Sequence, residues 1–344
     1  MMTCTRAIGI FLAVVAAAGG AAAAVPDKAT LVVQSPGWHI RGDWSSKKGE
    51  ENPWTGSTLV LREDPIVQRN YAVAQAALGV DDGVFVEIGG ERGINGSTSL
   101  MLEGVHGWKG VLIEADPDCY QELRQQRPWA VVVNAAACAE ARTVRWAPES
   151  LSTLDGPESL GTRALSSAGI WEFMPVLHKR AFFPKYLVAT EGGGIVDNAA
   201  LVDAAFTKIT CLSLSDILTY VHAPRVDYLI VDVEGAELEV LRSVDFQRTP
   251  VKLVSVEVMS LNTVSKERLD AIVDVMAANG FVAFVPEEVL LALQATEDRA
   301  VNIKHSDAYF LHQSLRPCES DVLDRVVAAA GGRVVTTCPQ YKQQ

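Results

Sequence analysis

Positive charge is in short supply in this chain. Thirty Lys and Arg stand against 42 Asp and Glu, a net charge of -12, which argues against nucleic acid as a partner because a phosphate backbone requires a basic surface. Cysteine is scarce as well, six in 344 residues, with no Cys-x-x-Cys pair and no Cys/His cluster at ligand spacing. No metal site is therefore expected. Also missing is the Gly-x-Gly-x-x-Gly spacing that seats a pyrophosphate on a helix N-terminus. With 49% hydrophobic residues, the chain can still bury the core of one large α/β domain with additions.

What is present is a dense glycine loop after a short apolar run. Val84, Phe85, Val86 and Ile88 around Glu87 predict a buried strand, and Gly89, Gly90, Gly93 and Gly96 force a turn directly after it. A helix is expected from about Ser97, with Leu100, Met101, Val105 and Trp108 on one side, ending at Gly107 and Gly110. The run Val111 to Ile113 then gives a second strand, closing a β-α-β unit. Such a unit places its first loop beside the end of its second strand, at the carboxyl edge where open α/β sheets bind ligands. Glu114 ends that strand, where a carboxylate can accept both hydroxyls of a ribose. Glycine loops also occur for turn geometry alone, but combined with Glu114 this one favours a nucleoside-bearing ligand. Glu87 would repel a phosphate and suits a ligand carrying an ammonium and a sulfonium, which points to S-adenosylmethionine (SAM) over a dinucleotide.

At the amino end, Ala7 to Ala24 is uncharged and ends in Ala22-Ala23-Ala24 before Val25-Pro26. This reads as a secretory signal peptide cut near Ala24, so that the protein is secreted or lies in the secretory lumen. The alternative is a single-pass anchor, weakened by the alanine and glycine content, and membrane attachment is expected only if this segment stays uncleaved. Without Cys4, five cysteines remain. A Cys318–Cys338 disulfide flanking a C-terminal helix at Ser320 to Ala330 is one expectation, and two free thiols the other.

Residues 25–63 read as an irregular leader rich in Trp, Pro and Gly, the domain as 64–315, and 316–344 as a terminal helix and tail. Asp64-Pro65 opens a helix through Tyr71, Val73 and Leu78. Asp116-Pro117 caps another that runs to about Gln126, and Ala130 to Cys138 is a third strand whose small residues leave room for a flat ring. From 139 to 206 periodicity is lost. This insertion is read as a partial lid carrying Trp171, Phe173, His178, Lys179, Arg180, Phe182, Phe183 and Tyr186, or as a helical hairpin patching the core. Strands resume at Val226, Val251, Phe281 and Ala308, with a helix from Ser265 to Asn279. Asp232 and Glu234 end one strand and Glu257 the next, three carboxylates along one sheet edge, some of them available as helix caps.

The strings Val84-Phe-Val-Glu-Ile-Gly, Gly107-Trp-Lys-Gly-Val-Leu-Ile-Glu-Ala-Asp-Pro, Val132-Val-Asn-Ala-Ala, Val226-Asp-Tyr-Leu-Ile-Val-Asp-Val-Glu-Gly-Ala-Glu and Val254-Ser-Val-Glu together resemble the FkbM-type methyltransferases over about Val84 to Leu311. The resemblance implies a class I, Rossmann-like fold with a seven-stranded, mostly parallel sheet and helices on both faces. It implies SAM as cofactor and O-methylation of a hydroxyl on a glycan or small natural product. By matching position, Glu87, Gly89 and Gly93 would line the methionine part, Glu114 the ribose, Asn134, Ala135 and Ala136 the adenine, and Asp232 with Glu234 the reacting centre. Two features depart from the family pattern: Glu91-Arg92 replaces a small polar pair between the loop glycines, and Ser97-Thr98-Ser99 opens the helix where family members tend to have Ser-Asn-Thr; Asn95-Gly96-Ser97 also forms a glycosylation sequon inside the loop. Three readings follow: an active O-methyltransferase of the secretory pathway, a SAM-fold ectodomain that binds a partner without catalysis, and an unrelated dinucleotide enzyme.

Overall fold

A computed structural model describes residues 32–34, 65–79, 82–94, 97–153, 167–260, 263–293 and 307–335. The segments read as signal peptide, most of the leader, the sequon asparagine and Cys338 lie outside them. Strands β1 (Val32–Gln34), β2 (Val84–Ile88), β3 (Lys109–Glu114) and β4 (Val131–Asn134) precede β5 (Ala136–Ala137), β6 (Arg142–Ala147) and β7 (Gly169–Ile170). The hairpin of β8 (Leu187–Ala189) and β9 (Ile195–Asp197) follows, then β10 (Thr207–Leu212), β11 (Val226–Val231) and β12 (Val251–Glu257). A second hairpin, β13 (Met259–Ser260) and β14 (Thr263–Val264), leads to β15 (Phe281–Pro286), β16 (Asp307–His312) and β17 (Gly332–Val334).

The main sheet has the order β1-β4-β3-β2-β11-β12-β16-β15-β17. Its five central strands, β4 through β12, are parallel, while β16 runs antiparallel to both neighbours. This is the mostly parallel α/β architecture expected, but with nine strands among the described residues. The two additions sit at the edges: β1 pairs antiparallel with β4, and β17 with β15. Both come from stretches read as irregular leader and tail, three-residue pieces too short to show a period of two.

Alternation along the central strands sends side chains into two cores, which is why these strands read as nearly continuous apolar runs. Val84, Val86, Ile88, Val111 and Ile113 face one side with Leu229 and Val231. There they meet helices α6 (Leu214–Tyr220), α7 (Glu237–Arg242), α8 (Lys266–Ala278) and α9 (Glu287–Ala292). Phe85, Leu112, Val132, Tyr228 and Leu253 face the other. Helices α1 (Pro65–Leu78), α2 (Ser99–His106), α3 (Pro117–Gln126) and α10 (Val322–Ala330) cover that side. Their ends match the sequence signals. Gly107 closes α2 at φ 68°, and Asp116 caps α3 by accepting from the Asp118 and Cys119 amides.

Two expectations are corrected. The strand expected from Ala130 to Cys138 breaks at Ala135, whose amide donates to the Glu114 carbonyl while the Asn134 side chain donates to the same oxygen. The chain then crosses into a second sheet of order β5-β10-β6-β7. The described residues of the insertion, in turn, form neither a lid of aromatics nor a helical hairpin. Trp171, Met174, Phe183, Tyr186 and Phe206 pack on one another, with Val202 of α5 (Ala199–Ala205), as a small core of their own beside α4 (Val176–Phe182). Aromatic area is spent on that core because a segment outside the main sheet must bury apolar surface locally to hold a shape.

A disulfide joins Cys138 to Cys211 and ties β5 to β10 at the neck of the insertion. Cys318 is also disulfide-bonded; Cys338, its expected partner, lies outside the described residues. Cys119 is a free thiol.

Candidate functional site

A cavity of about 520 Å³ opens at the carboxyl edge of the parallel strands, within the range that holds drug-sized ligands and cofactors. The glycine loop, the ends of β3 and β11, the crossing at Ala135 to Ala137 and the insertion's Trp146 to Ser150 and Ala168 to Ile170 form its wall.

Two loops interlock at its floor. The Gly89 amide donates to the Ile113 carbonyl and the Asp232 amide to the Ile88 carbonyl. Gly89 has φ +87°, and a Cβ there would lie 1.8 Å from the Asp232 carbonyl oxygen. Only glycine lets the loop after β2 pass that close to the loop after β11.

Glu114 stands where the sequence places it, in the cavity wall at the end of β3. Its Oε2 accepts from the Glu91 amide at 2.8 Å and its Oε1 from the Asp116 amide at 2.7 Å. The carboxylate therefore braces the glycine loop against the start of α3 and keeps further lone pairs for a ligand. Burial pushes its pKa up to about 8, against the pull of those two amides.

Glu87 and Gly93 do not line the cavity. The carboxylate of Glu87, fully inside, accepts from Ser97 Oγ at 2.7 Å, the Thr98 amide at 2.9 Å and Ser99 Oγ at 2.5 Å. Behind it, buried Arg127 donates to Ser97, Ser99 and the Gly93 carbonyl and pairs with Glu103. A Cβ on Gly93 would meet Leu123 and Arg127 at 2.5 and 2.8 Å. These residues hold the loop's shape from behind. Arg92 lines the cavity, and its guanidinium is ion-paired with Glu122 of α3. Asn134 is also outside the wall, but Ala135, Ala136 and Ala137 form a flat apolar face within it. His178 is buried, its Nε2 3.1 Å from the Ser167 carbonyl, away from the cavity wall.

At the other end, Asp232 and Glu234 line the cavity, and Glu257 joins them with one oxygen of each within 4.8 Å of the others. Asp232 is flanked by protein yet opens into the cavity. Burial first, then the Asp307 charge, pushes its pKa up to about 7. Glu234 is raised by burial and by Asp232, with Arg268 pulling the other way. Glu257 is raised well above the carboxylate range by burial and by both neighbours. Asp307 carried no sequence signal. It begins an antiparallel strand paired with Glu257, and the start of such a strand falls at the edge where its parallel neighbours end.

The residues present fit SAM: an acidic cavity for a cationic ligand, a strand-end carboxylate for hydroxyls, and an alanine face for a ring. Among solved structures, a precorrin-6y C5,15-methyltransferase from Geobacter metallireducens GS-15 is similar at 11% identity and a TM-score of 0.30, over 70% of this chain and 84% of that one. At that score the likeness carries no argument. No curated protein matches. The methyltransferase FkbM domain matches residues 87–283, more than half of the chain and every residue of the cavity wall, so this protein belongs to the FkbM methyltransferase family.

Proposed function

We propose that the protein is a SAM-dependent O-methyltransferase acting on a hydroxyl of a glycan or small natural product. The observation that carries this is the placement of Asp232: its carboxyl group opens into the cavity beside Glu234 at the end of β11, and burial and the Asp307 charge raise its pKa toward the range in which a general base works best. When bound, SAM supplies an electrophilic methyl group for an acceptor oxygen. Glu114 would hold the ribose, and the alanine face the adenine. Asp232 removes the acceptor's proton, and Glu234 orients the acceptor. Trp146, Pro148 and Ile170 line the cavity on the insertion side and bound the space left for the acceptor. Alignment of this kind is worth up to roughly 7–11 kcal/mol, and proton removal about 100- to 10,000-fold.

The test is calorimetry with SAM, followed by transfer of isotopically labelled methyl groups to a panel of hydroxylated glycans and natural products. Binding of SAM with transfer to none of them, or no binding, favours the ectodomain reading. The Cys138–Cys211 bond supports maturation along an oxidising route, and we place the protein in the secretory pathway, cut near Ala24. N-terminal sequencing of native material should find Val25 or a near neighbour first; an intact Met1 in the membrane fraction would support the anchor.

A further inference from the structure

Between Asp232 and α7 the chain makes a four-residue loop in a costly conformation. Glu234 has φ +52° and Gly235 φ +116°, and a Cβ on Gly235 would lie 2.7 Å from Pro175 of the insertion. Side chains other than glycine adopt such a φ uncommonly, so something must hold Glu234 there. Glu237, the first residue of α7, is fully buried, and its Oε1 accepts from the Gly235 amide at 3.0 Å and the Val233 amide at 3.3 Å. Its Oε2 is ion-paired with Arg268 of α8. A carboxylate buried this deeply persists only with such a partner and such donors.

We propose that Glu237, backed by Arg268, is the positioning residue of this site: it fixes the backbone on either side of Glu234 so that Asp232 and Glu234 project together into the cavity. The proposal rests on the reading of those two carboxylates as the reacting pair. Glu237 touches neither cavity nor ligand; it acts through the loop. Arg268 links the clamp to the chemistry, because the same guanidinium that neutralises Glu237 also lowers the pKa of Glu234.

Glu237→Gln keeps an oxygen for the two amides but leaves Arg268 with Glu234 alone. In the full chain, amide exchange at Val233 and Gly235 should quicken by roughly 10-fold, since a neutral oxygen accepts about half as strongly as a charged one. The kcat for methyl transfer should fall by on the order of 100-fold, the cost of slight misplacement, with KM for SAM within about twofold. The acid limb of the pH–rate profile should move to lower pH in Glu237→Gln and to higher pH in Arg268→Gln, with Arg268→Lys restoring the parent's profile. Unchanged exchange at both amides overturns the clamp whatever the activity. Faster exchange with an unshifted kcat and profile overturns its role in catalysis. Faster exchange in a protein whose parent transfers no methyl group overturns the methyltransferase reading and the catalytic half of the proposal, while the clamp stands.

Discussion

Cys138 and Cys211 are bonded across the neck of the insertion, their Cα atoms 5.9 Å apart and 73 positions apart in sequence. Everything the insertion contributes to the cavity, from Trp146 to Ile170, lies between them. The bond therefore closes the second sheet at the base of the insertion, whose residues form one wall of the site. Closing a loop of that length stabilises a fold by about 4 kcal/mol through the unfolded state. Cys138→Ser with Cys211→Ser should lower the unfolding free energy by about 2–4 kcal/mol, read by denaturant titration, and should weaken SAM binding through the loosened wall. A double variant as stable as the parent would show the bond to be incidental.

Glu114→Ala removes a brace and a ligand group at once. SAM affinity should fall by about 1.5–3 kcal/mol, the range for hydrogen bonds to charged groups, with circular dichroism unchanged. Equal affinity in calorimetry would move the ribose elsewhere.

Asp232→Asn keeps the shape and loses the base. Methyl transfer should drop by roughly 100-fold or more, with SAM affinity changed much less. If Asp232→Asn and Glu234→Gln both turn over at the parent rate, the carboxylates are structural. His178, buried against the Ser167 carbonyl, is badly placed to replace them.

The acid cluster also sets a pH dependence. Glu114, Asp232, Glu234 and Glu257 all have folded-state pKa values raised above those of an unfolded chain. The folded protein therefore binds more protons than the unfolded one between about pH 4.5, an unperturbed Glu, and the value of about 8 reached by Glu114. Their contribution to stability is full below that window and is lost as pH rises through it. The ligand-free Tm should fall between pH 5 and 8, and Glu114→Gln should flatten the slope. A Tm that rises steadily over this range would contradict the raised values.

The sequence determined the central sheet by itself. Runs such as Tyr228 to Val231 are apolar throughout because parallel strands are buried on both faces, and Gly107 and Asp116-Pro117 mark helix ends through local backbone chemistry. Glu114 was legible too, because a strand end in a β-α-β unit has a fixed place relative to the preceding loop. Glu87 has the same local signature, yet its carboxylate turns to Ser97, Thr98 and Ser99. Which side of a strand end faces the ligand depends on what packs behind it, here Arg127, 40 positions further along the chain. The Cys138–Cys211 bond, the insertion's private core and the place of Asp307 were decided by tertiary structure alone. So was the grip of Glu237 and Arg268 on the acid loop. Each joins residues from different elements, and no spacing along one strand or helix records which distant partner will arrive beside it.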